Sequence, residues 1–242
     1  TRHRTSVYKF MHAYHFDRDE SLDDDAAEAE KFLAGGGCHL SIAQFYLYQT
    51  LSRLRQLGNR NVTRRPDTVK LVNKNIRWMR LWSETTPSTF QHKHDLIVAE
   101  MASFTGDFEG ALSNYEQAIN GAHASGFTHE EALANELYAR FWAERGNNRF
   151  AGLLMREAHS LYEKWGALAK AEHLKRRYPR WVVQRRAIDS DDKGTPSNDL
   201  VAGDLDLLSI LKASQEIAGE LELKSLLEKL LTIALQNAGA QQ

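Results

Sequence analysis

The sequence is poor in cysteine, in proline and in charge of one sign, and each shortage excludes something. One thiol, Cys38, among 242 residues rules out a disulfide framework within the chain and fits a reducing compartment. Four prolines leave long stretches in which nothing interrupts a helix. No apolar run reaches the 18 or more residues of a membrane-spanning helix, and no signal-peptide pattern opens the chain at Thr1. The 31 Lys and Arg nearly balance the 32 Asp and Glu, for a formal net charge of −1. That balance removes the bulk electrostatics of general nucleic-acid or membrane-surface binding. At 42% hydrophobic and 26% charged residues, the composition is that of a folded globular protein, expected to be cytoplasmic.

Signatures of chemistry are missing too. There is no G-x-x-x-x-G-K-[ST] phosphate loop and no H-R-D or D-F-G kinase element. No His is followed by the Glu and Pro of a phospho-acceptor box, and no Asn- or Gly-rich ATP lid occurs. Gly35-Gly36-Gly37 lacks the following Lys and Ser/Thr of a phosphate cradle and reads as a plain loop. His12 and His15 lie three apart on an expected helix, but no Cys or carboxylate stands at ligand spacing. His92 and His94, two apart, point in different directions on a helix. Cys38 and His39 are adjacent, so they do not face each other, and no third orienting group accompanies them. No catalytic, cofactor-binding or metal-binding residue is assigned, and the segment reads as non-enzymatic.

What is present is a repeat. Ala99, Gly106, Ala111, Ala118 and Gly126 return 40 positions later as Ala139, Gly146, Ala151, Ala158 and Gly166. Small residues at these offsets let two antiparallel helices approach, and Gly supplies the turn. Leu96, Val98, Ala99, Ala102 and Phe104 form one helical stripe, and Ala111, Leu112, Tyr115, Ala118, Ile119 and Ala122 form its partner. Ala132, Ala134, Leu137, Tyr138, Phe141 and Trp142, then Phe150, Leu153, Leu154, Ala158, Leu161 and Tyr162, repeat the pair. Upstream, Ser41 to Leu57 and Asp67 to Glu84 carry strong helical patterns, and Pro87 stops the second. Thr5 to Phe16 and Ala26 to Leu33 read as a further hairpin with the acidic residues Asp17 to Asp25 between its arms.

The expected fold is all-α: stacked antiparallel helical hairpins in a tetratricopeptide-like superhelix, then a linker and a long amphipathic C-terminal helix. Residues 1–186 form the repeat domain, 187–203 the flexible linker, and 204–242 a signalling or coiled-coil helix. Leu208, Leu211 and Ile217 are candidates for a dimer seam. Lys93, Asn135 and Arg140 fall on the first helix of their hairpins, where a peptide groove would lie.

Two sets of phrases carry a family resemblance. One is Thr89-Phe90-Gln91-His92-Lys93-His94-Asp95-Leu96, Glu131-Ala132-Leu133-Ala134-Asn135-Glu136-Leu137 and Tyr162-Glu163-Lys164-Trp165-Gly166-Ala167. The other runs from Leu207-Leu208-Ser209-Ile210-Leu211-Lys212-Ala213-Ser214-Gln215-Glu216-Ile217 through Leu226-Leu227-Glu228-Lys229-Leu230 to Asn237-Ala238-Gly239-Ala240-Gln241. The combination, over roughly Phe45 to Gln242, resembles the middle of large multidomain sensor kinases. In that family a serine/threonine-kinase-like domain and an AAA ATPase precede a tetratricopeptide-like region. A GAF domain and a histidine-kinase core follow it.

The resemblance implies that this chain is an excised piece of such a protein and that 204–242 includes the first helix of a truncated GAF domain. It implies a regulatory scaffold that mediates protein–protein interaction and relays signals between the ATPase and GAF/kinase modules in a two-component phosphorelay. Its partners would be the other domains of the parent chain and a second copy through the C-terminal helix, with no nucleic acid and no membrane insertion. No cofactor belongs to this segment, while the parent would use ATP and Mg. The alternative expectation is a stand-alone tetratricopeptide-type adaptor that binds a peptide or protein ligand.

Overall fold

A computed structural model describes residues 2–33, 40–58 and 66–183. The chain divides into two units, Thr1–Ala187 and Ile188–Gln242. All described residues belong to the first unit, and among them there is no strand, so the architecture is all-α. Among the described residues ten helices follow one another: α1 (Arg2–His15), α2 (Asp19–Lys31), α3 (Leu40–Gly58), α4 (Pro66–Thr85), α5 (Pro87–Thr105), α6 (Phe108–Ala124), α7 (Thr128–Glu144), α8 (Asn148–Trp165), α9 (Leu168–Arg177) and the single turn α10 (Pro179–Val182).

The 40-residue repeat resolves into a 20-residue unit of one helix and one turn. Gly106, Gly126, Gly146 and Gly166 all hold positive φ, between 75° and 88°. Each closes its helix the same way: the residue after the glycine donates to the carbonyl five back, as in Asp107 N–H to Ala102 O at 2.9 Å and Ala167 N–H to Tyr162 O at 2.9 Å. The next helix then starts on a polar cap in two cases. Asp107 accepts from Gly110 N–H at 3.0 Å, and Asn147 accepts from Phe150 N–H at 3.3 Å. At Pro87 the missing N–H costs nothing, because the first helical position has no intrahelical partner.

Successive helices pack as hairpins α3–α4, α5–α6 and α7–α8, while α3 meets α5, and α5 meets α7, on the inner face. Gly121 of α6 explains how close α5 and α6 come: a Cβ there would lie 3.2 Å from His92 Cβ. Stacked rings bind the layers together, among them Tyr115 on Tyr138 with centroids 4.8 Å apart and Trp142 on Phe150 at 5.2 Å. Tyr46, Trp82 and Phe90 form a run of tilted rings between α3, α4 and α5 that serves packing.

Two boundaries differ from the sequence reading. The acidic residues expected between the first two helices lie largely inside α2. Asp19 and Glu20 occupy its first turn, where the helix dipole favours negative charge, and Leu22, Ala26 and Ala29 give it a buried stripe. The helix read from Leu96 onward begins nine residues earlier, at Pro87, because His92, Lys93 and Asp95 are buried too and extend the inward face with polar side chains.

α7 is enclosed on every side. Residues 130–139 are all buried, and so is Phe141. α6 and α8 cover its two flanks. Its inner face meets α3 and the turn after α1: Gln44 of α3 reaches Glu130, and Arg140 reaches Asp17. The inner face of the array is therefore filled by the chain's own N-terminal helices.

Candidate interaction site

The inner face is layered with charge. Near the N-terminal ends of the inner helices the Glu130 carboxylate gathers four partners. Gln44 Nε2 donates to its Oε1 at 2.8 Å, His129 Nε2 stands 3.5 Å from the same oxygen, and Lys93 Nζ lies 2.7 Å from Oε2. His92 Nε2 also binds Oε2. The other ring nitrogen, His92 Nδ1, is buried with no hydrogen-bond partner. Lys93 donates as well to Thr89 O at 2.6 Å and sits over the Phe127 ring, 4.2 Å from its centroid. Burial pushes Glu130 up, but the hydrogen bonds of His129 and His92 and the charge of Lys93 outweigh it and hold the carboxyl below its usual range. Burial lowers Lys93, with Glu130 opposing.

The middle layer centres on Glu136. Its Oε1 accepts from Arg140 Nη2 at 2.5 Å and Lys170 Nζ at 3.0 Å, and its Oε2 accepts from Tyr162 OH at 3.0 Å. Burial would raise this carboxyl, yet Lys170 and Arg140 hold it down to about 2. Lys170 Nζ also donates to His15 O at 2.7 Å, a link between α9 and the end of α1. His15 Nε2 meets Tyr48 OH at 2.7 Å, while burial, reinforced by Lys170, lowers the imidazole to about 3 and keeps it neutral.

In the third layer, at the C-terminal ends of the inner helices, Asp17 follows α1. Arg55 Nη1 donates to its Oδ1 at 2.9 Å, with Arg140 Nη2 at 3.6 Å. Arg177 Nε lies 3.3 Å from Oδ2, without the alignment of a hydrogen bond. Three helices thus each aim one guanidinium at a single carboxylate. Beside this layer Tyr115 OH binds Glu100 Oε1, and burial raises Glu100 to about 7.

The three residues read as groove contacts all lie on this face. Lys93 is 1% exposed and engaged with Glu130. Asn135 is 3% exposed and its Nδ2 donates to Glu131 O at 2.9 Å. Arg140 spans Glu136 and Asp17. As the chain is folded here, each of the three donates to an acceptor of the chain itself, Lys93 to Thr89 O, Asn135 to Glu131 O and Arg140 to Glu136. His12 and His15 part company: His12 stacks on Phe16 at 4.5 Å, whereas His15 turns to Tyr48. Among the described residues no group of three or more His, Cys, Asp or Glu could hold a metal. Leu208, Leu211 and Ile217, the linker 187–203, Gly35-Gly36-Gly37, Cys38 and His39 lie outside the described residues.

Sequence reasoning missed Glu130, Glu136, Lys170, Gln44 and Asp17. The one local signal was the Glu136/Arg140 spacing of four, which puts both side chains on one side of α7. The other partners of Glu136 are 26 and 34 positions away and share no pattern with it. No protein-family model, no curated protein and no solved structure matches this chain.

Proposed function

We propose that this chain is a non-catalytic regulatory scaffold within a cytoplasmic multidomain sensor histidine kinase. It mediates protein–protein contact and relays signals between ATPase and GAF/kinase modules in a phosphorelay. The observation that carries this reading is the filled inner face. A tetratricopeptide-type adaptor keeps that face open for its ligand, whereas here Glu130 meets Gln44 of α3, and Arg140 and Lys170, the partners of Glu136, reach Asp17 and the end of α1. A face closed by the chain's own helices suits a scaffold with a discrete arrangement that can be passed on to neighbouring modules. The order of helical phrases that resembles the sensor kinases supports the same assignment, with other domains of the parent chain and a second copy as partners. ATP and Mg belong to the parent's other modules.

The test is the coding sequence on both sides of this segment. A phosphate-loop ATPase upstream, with a GAF sheet, an H-box and an ATP lid downstream, supports the reading. Stop and start codons flanking it refute it in favour of a free adaptor. The dimer element is tested apart from this: removing Leu205 to Gln242 lowers self-association, read as the number of subunits in sedimentation equilibrium, and an unchanged number refutes the seam at Leu208, Leu211 and Ile217.

A further inference from the structure

The turn after α1 repeats the helix-closing geometry of the four glycine turns with the wrong residue in it. Arg18 N–H donates to Ala13 O at 2.9 Å and Asp17 N–H to Tyr14 O at 3.3 Å, the bonding seen at Gly106 and Gly166. Asp17 holds φ at 51°, the one described non-glycine residue with positive φ. A side chain in that conformation is strained, and glycine would relieve it. What glycine could not supply is the carboxylate that Arg55, Arg140 and Arg177 converge on.

The rest of the contact has the same bias. Lys170 adds a fourth cation, donating to the last carbonyl of α1, so the positive cluster meets both the negative end of a helix dipole and an acid. Phe10 lies against Phe45 at 5.8 Å and Tyr14 against Tyr48 at 5.4 Å, two aromatics four apart presenting one ridge to α3. Phe16 rests on His173 of α9 at 5.3 Å. Yet His15 Nδ1, Asp17 Oδ2, Arg140 Nε and His173 Nδ1 are all buried here without a hydrogen-bond partner. These polar atoms lie beside an apolar ridge, Val7, Phe10, Ala13 and Tyr14, which is buried, so the contact joins apolar burial to a charged end. The hairpin itself is tied independently, Lys9 to Asp25 at 2.8 Å.

We propose that the inner face of α3, α7 and α9 is a binding groove for an aromatic helix ended by a carboxylate, and that α1 with Asp17 is its resident, displaceable occupant. The ligand class is a partner-protein helix with two aromatic residues four apart and an acid three residues beyond the second. The inference stands whatever the parent protein is, since it uses only contacts within this array.

The test uses the full chain and a fluorescent synthetic peptide of residues 2–19, read by anisotropy. In the wild-type chain the resident helix competes and binding is weak. Asp17→Asn keeps the tolerance for positive φ, loses the charge and weakens the resident, so that chain binds the wild-type peptide about tenfold or more tighter. A peptide carrying Asp17→Asn shows no such gain. Equal binding by both chains, or by both peptides, overturns the proposal. If Asp17→Asn unfolds the chain, Asp17→Gly serves in its place, because it removes the strain together with the acid. Hydrogen exchange on the wild type gives an independent check. Amides of α1 exchange ahead of those of α7 if the occupant is displaceable, and simultaneous exchange refutes it. A rise in dimer mass of the Asp17→Asn chain without peptide binding assigns the groove to a second copy and overturns the partner-helix reading.

Discussion

Replacing Glu136 by Gln changes one oxygen to nitrogen in a side chain that is 2% exposed, and leaves Arg140 and Lys170 facing a neutral group. The magnitude follows from the carboxyl's displacement from 4.5 to about 2. At about 1.4 kcal/mol per tenfold in proton affinity, its ionised form gains roughly 3 kcal/mol in the folded state. Stranding two buried cations gives a similar figure, roughly 3–5 kcal/mol. The expected loss is therefore about 3 kcal/mol, measured by urea denaturation followed by far-UV circular dichroism. Lys170→Met leaves Glu136 with Arg140 and Tyr162, so it costs less, about 2 kcal/mol. The double variant loses less than the two singles together, with a coupling of at least about 1 kcal/mol. The sign of the pH dependence separates this from a packing effect. A lowered carboxyl value contributes stability that is full above pH 4.5 and vanishes as the pH falls toward 2. The gap between wild type and Glu136→Gln must close over that window. His15, lowered from 6.5 to about 3, adds a decline of its own below pH 6.5, but it does so in both proteins and largely cancels from the difference. A gap below about 1 kcal/mol, or one that stays constant with pH, refutes the reasoning.

Three further outcomes are expected. Glu100 is raised to about 7, so burying its charge costs stability progressively as the pH rises from 4.5 through 7, and Glu100→Gln keeps an acceptor for Tyr115. Thermal unfolding should show that variant stabilised above pH 7 and unchanged below pH 4.5; equal gains at both ends refute the assignment. Gly166→Ala meets no neighbouring atom, so its effect is backbone strain alone at φ 88°, about 1 kcal/mol in denaturant unfolding, and a neutral result removes the left-handed cap from the account. Joint replacement Glu136→Leu, Arg140→Leu and Lys170→Met removes the buried ions as a set and should keep stability within about 2 kcal/mol of wild type. A collapse larger than the loss in Glu136→Gln alone shows that the ions are a net source of stability.

The repeat was legible because small residues and glycines recur at fixed spacing, and four turns closing alike are a local property of the backbone. Gly106 and Gly166 announce themselves in one dimension. α2 was not legible at its N-terminus, since a run of aspartates reads as a loop until the helix dipole and the Leu22, Ala26, Ala29 stripe are set against it. The charged inner face could not be read at all. Lys170 belongs to α9, its acceptors are His15 O and Glu136, and no pattern along the chain joins them. Helix position alone places Lys93, Asn135 and Arg140 on the groove side. What position could not reveal is that the chain brings its own occupant to that groove.

The cost of that occupant argues for its purpose. An array stabilised by packing alone would carry apolar residues at Glu130, Glu136 and Lys170, because desolvating ions consumes much of what their attraction returns. Stacked hairpins built on one repeat, however, have inner faces that resemble one another, and apolar contact does not discriminate between them. Gln44 over Glu130, Lys170 on Glu136 and Arg55 on Asp17 can be satisfied together in one arrangement only. They fix which helices cover the face and in what register. Asp17 goes further than register requires, since an asparagine would suit the turn and an arginine-free corner would need no acid. A strained carboxylate held by guanidinium groups from three helices is a specific recognition event within one chain. Recognition of that kind sets the energy a competing helix must match, and so makes the closed face a state that can be exchanged for another.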